Sequence, residues 1–263
     1  MNDAKLPILR DLSRDYMLSF LVAALMAAAS LAGLFFQGVI YPDEALRHSF
    51  ISNDVVNLLI GLPILFASMA LARRGKLIGL LFWPGALLYV TYNYIAYAVA
   101  MPFTWQFILY LVLAALSGFS VYRLLTAFDT QAIARSLSGK VPERFAGAVL
   151  AGFGLLFFAM RVGVVLGGQG GPEAAVAVAD LFTMPFWVIG GVLLWRKRPF
   201  GYASGAGLLF QASMLFIGLL VFFILQPLVA GVPFPVEDFV VIAVMGLVCF
   251  VPFGLFVRGI LRA

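Results

Sequence analysis

Residues 54–76 read DVVNLLIGLPILFASMALARRGK, an apolar run that only Asn57 and Ser68 interrupt before Arg73, Arg74 and Lys76 close it. At 1.5 Å rise per residue such a run crosses the roughly 30 Å hydrocarbon core of a bilayer, and a basic cluster straight after it is how a membrane hairpin turns on the cytoplasmic side. The rest of the chain agrees. Of its 263 residues 63% are hydrophobic and 11% charged, whereas a soluble domain is nearer half apolar and a quarter charged. That excludes a soluble globular protein. Disorder and collagen-like structure are excluded too, because apolar surface is abundant and the 26 Gly and 13 Pro follow no triplet period.

Eight runs of this kind are present, at 17–40, 54–72, 77–100, 106–127, 145–167, 174–195, 200–225 and 238–259. The predicted fold is therefore all-α, a polytopic transmembrane helix bundle of eight spans. The first run is too long for the apolar region of a signal peptide and is expected to stay in the protein. With the N-terminus inside, 15 of the 17 Lys and Arg fall in cytoplasmic segments and only Arg47 and Arg161 fall toward the outer face, so both termini are expected to be cytoplasmic. The basic balance thus needs no nucleic acid, whose recognition would gather cations and stacking aromatics on one face. The partner expected is the lipid bilayer, with a small-molecule or ion ligand. The sequence leaves the oligomeric state open.

Phe128 to Arg144 is the long polar stretch within the apolar body, and it divides the chain into a first transmembrane half, 1–127, a cytoplasmic linker, 128–144, and a second half, 145–263. A shift of 122 residues lays Leu59 on Leu181, Pro63 on Pro185, Leu71 on Leu193, Arg74 on Arg196, Gly79 on Gly201 and Gly85 on Gly207. Each half has an even number of spans, so the two halves of four are read as a parallel repeat.

Charges within hydrocarbon cost roughly 2.5 to 3.5 kcal/mol on insertion scales and usually face a partner or a wet cavity. Arg161, in the fifth run, and Asp180, in the sixth, both fall in the outer half of the bilayer and are expected to pair. The pair serves either to lock two helices or as a gate or counter-ion for a solute. Asp54 is expected to cap the second helix, with Asn57 one turn deeper facing an outward cavity. Tyr89, Asn93 and Tyr97, at i, i+4 and i+8, are read as one helical face and one wall of a pocket. Pro63 and Pro185 each remove a hydrogen bond to the carbonyl four residues earlier, freeing Leu59 and Leu181 at matching places in the two halves, as at transporter sites; proline alone favours the other reading, a simple packing kink.

No catalytic residue is identified. Gly-x-Ser-x-Gly, His-Glu-x-x-His and Walker sequences are absent, no Lys lies in a span to hold retinal, and a single Cys249 and single His48 argue against zinc, haem and any other metal or cofactor.

The stretch Asn53 to Leu58 with Gly61-Leu62-Pro63, then Arg73-Arg74-Gly75, Leu87-Leu88-Tyr89 and Tyr92-Asn93-Tyr94, resembles a group of prokaryotic multi-span membrane proteins of no known activity, as does Gly190 to Arg196 with Gly201-Tyr202. The resemblance implies a prokaryotic plasma membrane and transfers no site residue. The function expected is binding or transport of a small solute, ion or lipophile at an outward-facing pocket lined by Asn57, Tyr89, Asn93, Tyr97, Arg161 and Asp180. The alternatives are a non-catalytic accessory or sensor protein, then an enzyme of membrane lipids. An enzyme is the less favoured class because no paired acidic set is present.

Overall fold

A computed structural model describes residues 6–168, 170–229, 231 and 233–263; Lys5 and Gln169, which the sequence places in a basic segment and an external turn, lie outside them. Eight helices are long and apolar enough to cross a membrane, and no strand occurs among the described residues. The chain is a multi-pass transmembrane helix bundle.

The first span is α1 (Ser13–Phe35), followed by a short α2 (Gln37–Ile40). The second is longer than its apolar run: α3 (Glu44–Val56), a π-helical turn at Asn57–Gly61 and α4 (Leu62–Arg73) form one continuous span. It starts at Asp43, whose side chain accepts the Leu46 N–H at 2.8 Å. The expectation that Asp54 caps this helix is thus overturned. Asp54 lies well inside α3 and is buried, because polar residues at 48–54 conceal how far the helix extends. The π-helical turn arises beside Pro63, which has no N–H to give Leu59, and the Leu62 N–H reaches back to the Asn57 carbonyl instead.

The remaining spans are α5 (Leu77–Ala100), α6 (Trp105–Ala127), α8 (Glu143–Leu166), α9 (Gly171–Trp195), α10 (Pro199–Val229) and α11 (Val236–Leu261). The 128–144 linker carries α7 (Thr130–Leu137), capped by Asp129 through the Ala132 N–H at 2.9 Å. Its Ile133 and Leu137 are fully buried, and it packs on α10. The expected linker is therefore a docked amphipathic helix closing the basic end of the bundle. The N-terminal segment joins it there, with the Asp129 N–H on the Pro7 carbonyl at 2.9 Å and fully buried Asp15 held by Arg10 and, at 3.2 Å, by Arg123.

Of the most apolar stretch of α5, 72% is buried inside the protein, against 17% for α8. α5 is therefore a central helix, and the exposed Leu155, Leu156, Phe158, Met160 and Leu166 of α8 are a surface suited to lipid tails. α10 runs parallel to α5 and packs against it. At their crossing, a Cβ on Gly85 would overlap the Gly207 carbonyl, and one on Gly207 would stand 3.1 Å from the Gly85 nitrogen. These two residues correspond under the 122-residue shift.

The two hairpin turns share four backbone hydrogen bonds. In the first, the N–H groups of Arg74, Gly75, Lys76 and Gly79 donate to the carbonyls of Ala70, Ala72, Leu71 and Lys76 at 3.1, 2.9, 3.0 and 3.1 Å. In the second, those of Arg196, Lys197, Arg198 and Gly201 donate to Val192, Leu194, Leu193 and Arg198 at 2.9, 2.9, 2.8 and 2.9 Å. Every donor and acceptor is shifted by 122. Even the left-handed residue recurs, Gly75 at φ 73° and Lys197 at φ 54°. Contact between equivalent positions on parallel helices is what a parallel repeat about an axis along the membrane normal produces.

Candidate functional site

On that axis, at the end opposite the basic turns, α3, α5, α9 and α10 part around an open cavity of about 340 Å³. Each helix contributes a face whose spacing follows from 3.6 residues per turn: Ser49, Phe50 and Asn53 from α3; Tyr89, Tyr92, Asn93 and Ala96 from α5; Glu173, Val176, Asp180, Met184 and Trp187 from α9. Leu215, Phe216, Gly218, Leu219 and Phe222 come from α10, Phe157 from α8 and Ile242 from α11. Three pairs that correspond under the 122-residue shift are in the lining, Phe50 and Pro172, Asn93 and Leu215, and Ala96 and Gly218. From Pro172 to Trp187 the wall descends about 22 Å at helical rise, well into the membrane. Beyond the lining, toward the basic turns, Phe82, Phe210 and Phe253 pack with ring centres 5.1 to 6.1 Å apart, near the Gly85–Gly207 contact.

Of the six residues expected to line a pocket, Tyr89, Asn93 and Asp180 do so. Arg161 meets Asp180 across the α8–α9 hairpin, its Nε donating to Oδ2 at 2.6 Å, but it lies behind that carboxylate and does not line the cavity. The Tyr92 hydroxyl donates to Asp180 Oδ1 at 3.0 Å. Asp180 therefore spends one oxygen on each neighbour and carries its charge in a satisfied pair, which the membrane interior requires.

Asn57 and Tyr97 also stand behind the wall. Asn57 gives its amide to Ser30 Oγ at 3.4 Å and accepts from the Asn93 amide at 3.3 Å. The Tyr97 hydroxyl sits 3.0 Å from Asp54 Oδ1 and 3.2 Å from the Phe50 carbonyl. An i to i+8 step rotates about 80° around a helix, enough to swing Tyr97 off the Tyr89 face. Tyr92, at i+3, stays on it. Asp54 takes a second hydrogen bond, from Tyr41. Tyr41 lies in the connection before α3, and burial, with the Asp54 carboxylate next, pushes its phenol far above the usual tyrosine range. It is thus a proton donor to Asp54 at any working pH. Gly33 gives the carboxylate its room, since a Cβ there would overlap Asp54 Oδ2.

The carbonyls expected to be freed by proline do not serve the cavity. Neither Leu59 nor Leu181 lines it, and Leu59 faces outward, 71% exposed. The residues that sequence reasoning passed over are Asn53, Glu173 and Trp187. For Glu173 and Trp187 the signal was available as spacing: Glu173, Val176, Asp180, Met184 and Trp187 form one stripe along α9 once Asp180 is taken as the anchor.

The lining holds amides, hydroxyls, two carboxylates and many rings. It pairs no nucleophile with a base, and no group of three His, Cys, Asp or Glu able to hold a metal occurs among the described residues. Its volume is in the size range of small-molecule sites. Comparison with protein families, curated proteins and solved structures yields no match for this chain.

Proposed function

We propose that this membrane protein binds a small solute in the axial cavity and carries it across a prokaryotic plasma membrane. In this reading both termini are cytoplasmic, because the basic turns mark the inner face. One observation carries it: the cavity takes its walls from corresponding positions of the two repeated hairpins, where parallel-repeat transporters place their sites. Its open outer end and the aromatic packing toward the basic turns are one state of an alternating-access cycle, and the side-chain-free Gly85–Gly207 crossing is the pivot about which the hairpins rock.

The test is ligand-induced stabilisation and solute uptake in proteoliposomes across neutral, anionic and cationic solutes. Gly218→Leu is the control that narrows the cavity, since a Cβ at Gly218 meets only Val56 at 3.9 Å and the chain should fold. The expected result is a solute that stabilises and enters with the natural sequence and does neither with this variant. Binding without uptake would leave a sensor. Identical responses from both proteins would remove the cavity from the function.

A further inference from the structure

We propose that the cavity's ligand is a small organic cation, an ammonium group bearing apolar substituents. This rests on reading the cavity as a binding site. Two features of the lining point to a cation. First, charge of one sign reaches the cavity: Glu173 and Asp180 line it, and no Lys, Arg or His does. Arg161, which pairs with Asp180, does not reach the lining, and neither do Arg47 and His48 of α3. Glu173 has no ion-pair partner among the described residues and is exposed, so a carboxylate waits at the mouth.

Second, the wall is rich in rings. Phe157 stands edge-on to Trp187 with centres 6.5 Å apart and tilts against Phe216 at 6.2 Å, and Tyr89 and Tyr92 of α5 line the same cavity. Faces of Trp, Tyr and Phe attract an alkylammonium through the ring quadrupole, most strongly where water is excluded. They offer nothing comparable to an anion.

The polar groups add orientation: Asn93 gives one amide hydrogen to Asn57 and the Tyr92 hydroxyl gives its proton to Asp180, which leaves the Asn93 amide oxygen free to accept from a ligand.

The experiment uses the full chain in detergent and three probes: benzyltrimethylammonium, its neutral carbon isostere neopentylbenzene, and benzoate. Melting midpoint and tryptophan fluorescence are followed, because Trp187 lines the cavity. The ammonium probe should raise the midpoint by about 5 °C at ~100-fold above its Kd, change the fluorescence, and bind at least tenfold tighter than the isostere. Glu173→Gln, at an exposed position that leaves folding intact, should weaken the ammonium probe two- to fivefold and leave the isostere unchanged. If the isostere or benzoate binds as well as the ammonium, the cation assignment is wrong while the cavity remains a binding site. If none of the three binds, the cation assignment also falls, and a negative result across the wider solute panel would take the binding reading with it.

Discussion

At their basic ends the two central hairpins share four turn hydrogen bonds, a left-handed residue and the same glycine contact, Gly79 on Leu71 and Ala72, Gly201 on Leu193 and Leu194. Toward the cavity the correspondence is of backbone only. Asp54 answers to Val176, Asn57 to Ala179, Tyr89 to Gln211 and Asn93 to Leu215, while Asp180 answers to Leu58. The turn ends are held by backbone bonds and close approach, which tolerate few side chains. The cavity ends are held by side-chain packing, which has many solutions. One half therefore supplies hydroxyls and amides, and the other rings and an ion pair. A two-fold frame with unlike walls suits a ligand that has one charged end and one apolar end.

The largest effects should come where equivalent backbones touch. Gly85→Ala must push the Gly207 carbonyl aside and should cost about 2 to 3 kcal/mol. Gly207→Ala meets its neighbours at 3.1 Å, and the roughly 1 kcal/mol that Ala gains over Gly within a helix should leave it near neutral. Melting midpoints in detergent measure both. Equal losses would mean that the crossing is more symmetric than these contacts. For the turn glycines the expectation is the reverse: Gly79→Ala and Gly201→Ala should lose equally, and unequal losses would break the repeat at its best-matched place.

Of comparable size is the effect of the Arg161–Asp180 ion pair, whose positions in the first half hold no charge. Arg161→Met leaves buried Asp180 with Tyr92 as its remaining partner and should cost about 3 kcal/mol. Asp180→Asn should cost less, because Arg161 is part-exposed at 24% and can snorkel. Tyr92→Phe, which removes one neutral donor, should cost about 1 kcal/mol. A double-mutant cycle on Arg161 and Asp180 that gave no coupling would make the contact incidental.

These same elements mark what the sequence made legible. The third span, Leu77–Ala100, coincides with its apolar run because nothing polar obscures either end. Arg161 and Asp180 were expected to pair because two lone charges on adjacent antiparallel spans have no other way to be satisfied in hydrocarbon. The second span was misread because hydropathy detects apolar runs, and the first turns of α3 carry Glu44, Arg47, His48 and Ser49. There Asp43, and not Asp54, is the cap, so Asp43→Ala should cost about 1 kcal/mol in the same melting assay, with a null result meaning that the α2–α3 connection is held by other contacts. Tyr97 was misplaced for a different reason. Its rotation is small at each turn and accumulates over two, so only a structure decides which side of α5 it serves. Asp15 gave no warning at all, since a carboxylate beside three nearby basic residues at a membrane edge reads as solvated until Arg123 is seen to close over it.

The smallest effect tests the turns themselves. Lys197 holds φ 54° where the first hairpin has Gly75 at 73°, and a side chain in that region costs about 1 kcal/mol. Lys197→Gly relieves this but loosens the unfolded chain, which returns part of the gain; the net is a stabilisation of about 0.5 kcal/mol, or a rise of 1 to 2 °C. Arg196 and Arg198 remain to anchor the turn, so threading should be unchanged. Gly75→Lys runs the exchange backwards and should lower the midpoint by a similar amount. Opposite shifts of similar size would mean that the same bonds set both turns. If Lys197→Gly instead destabilises, the Lys197 ammonium makes a contact at the basic end that has no counterpart in the first hairpin, and the two turns are alike in backbone alone.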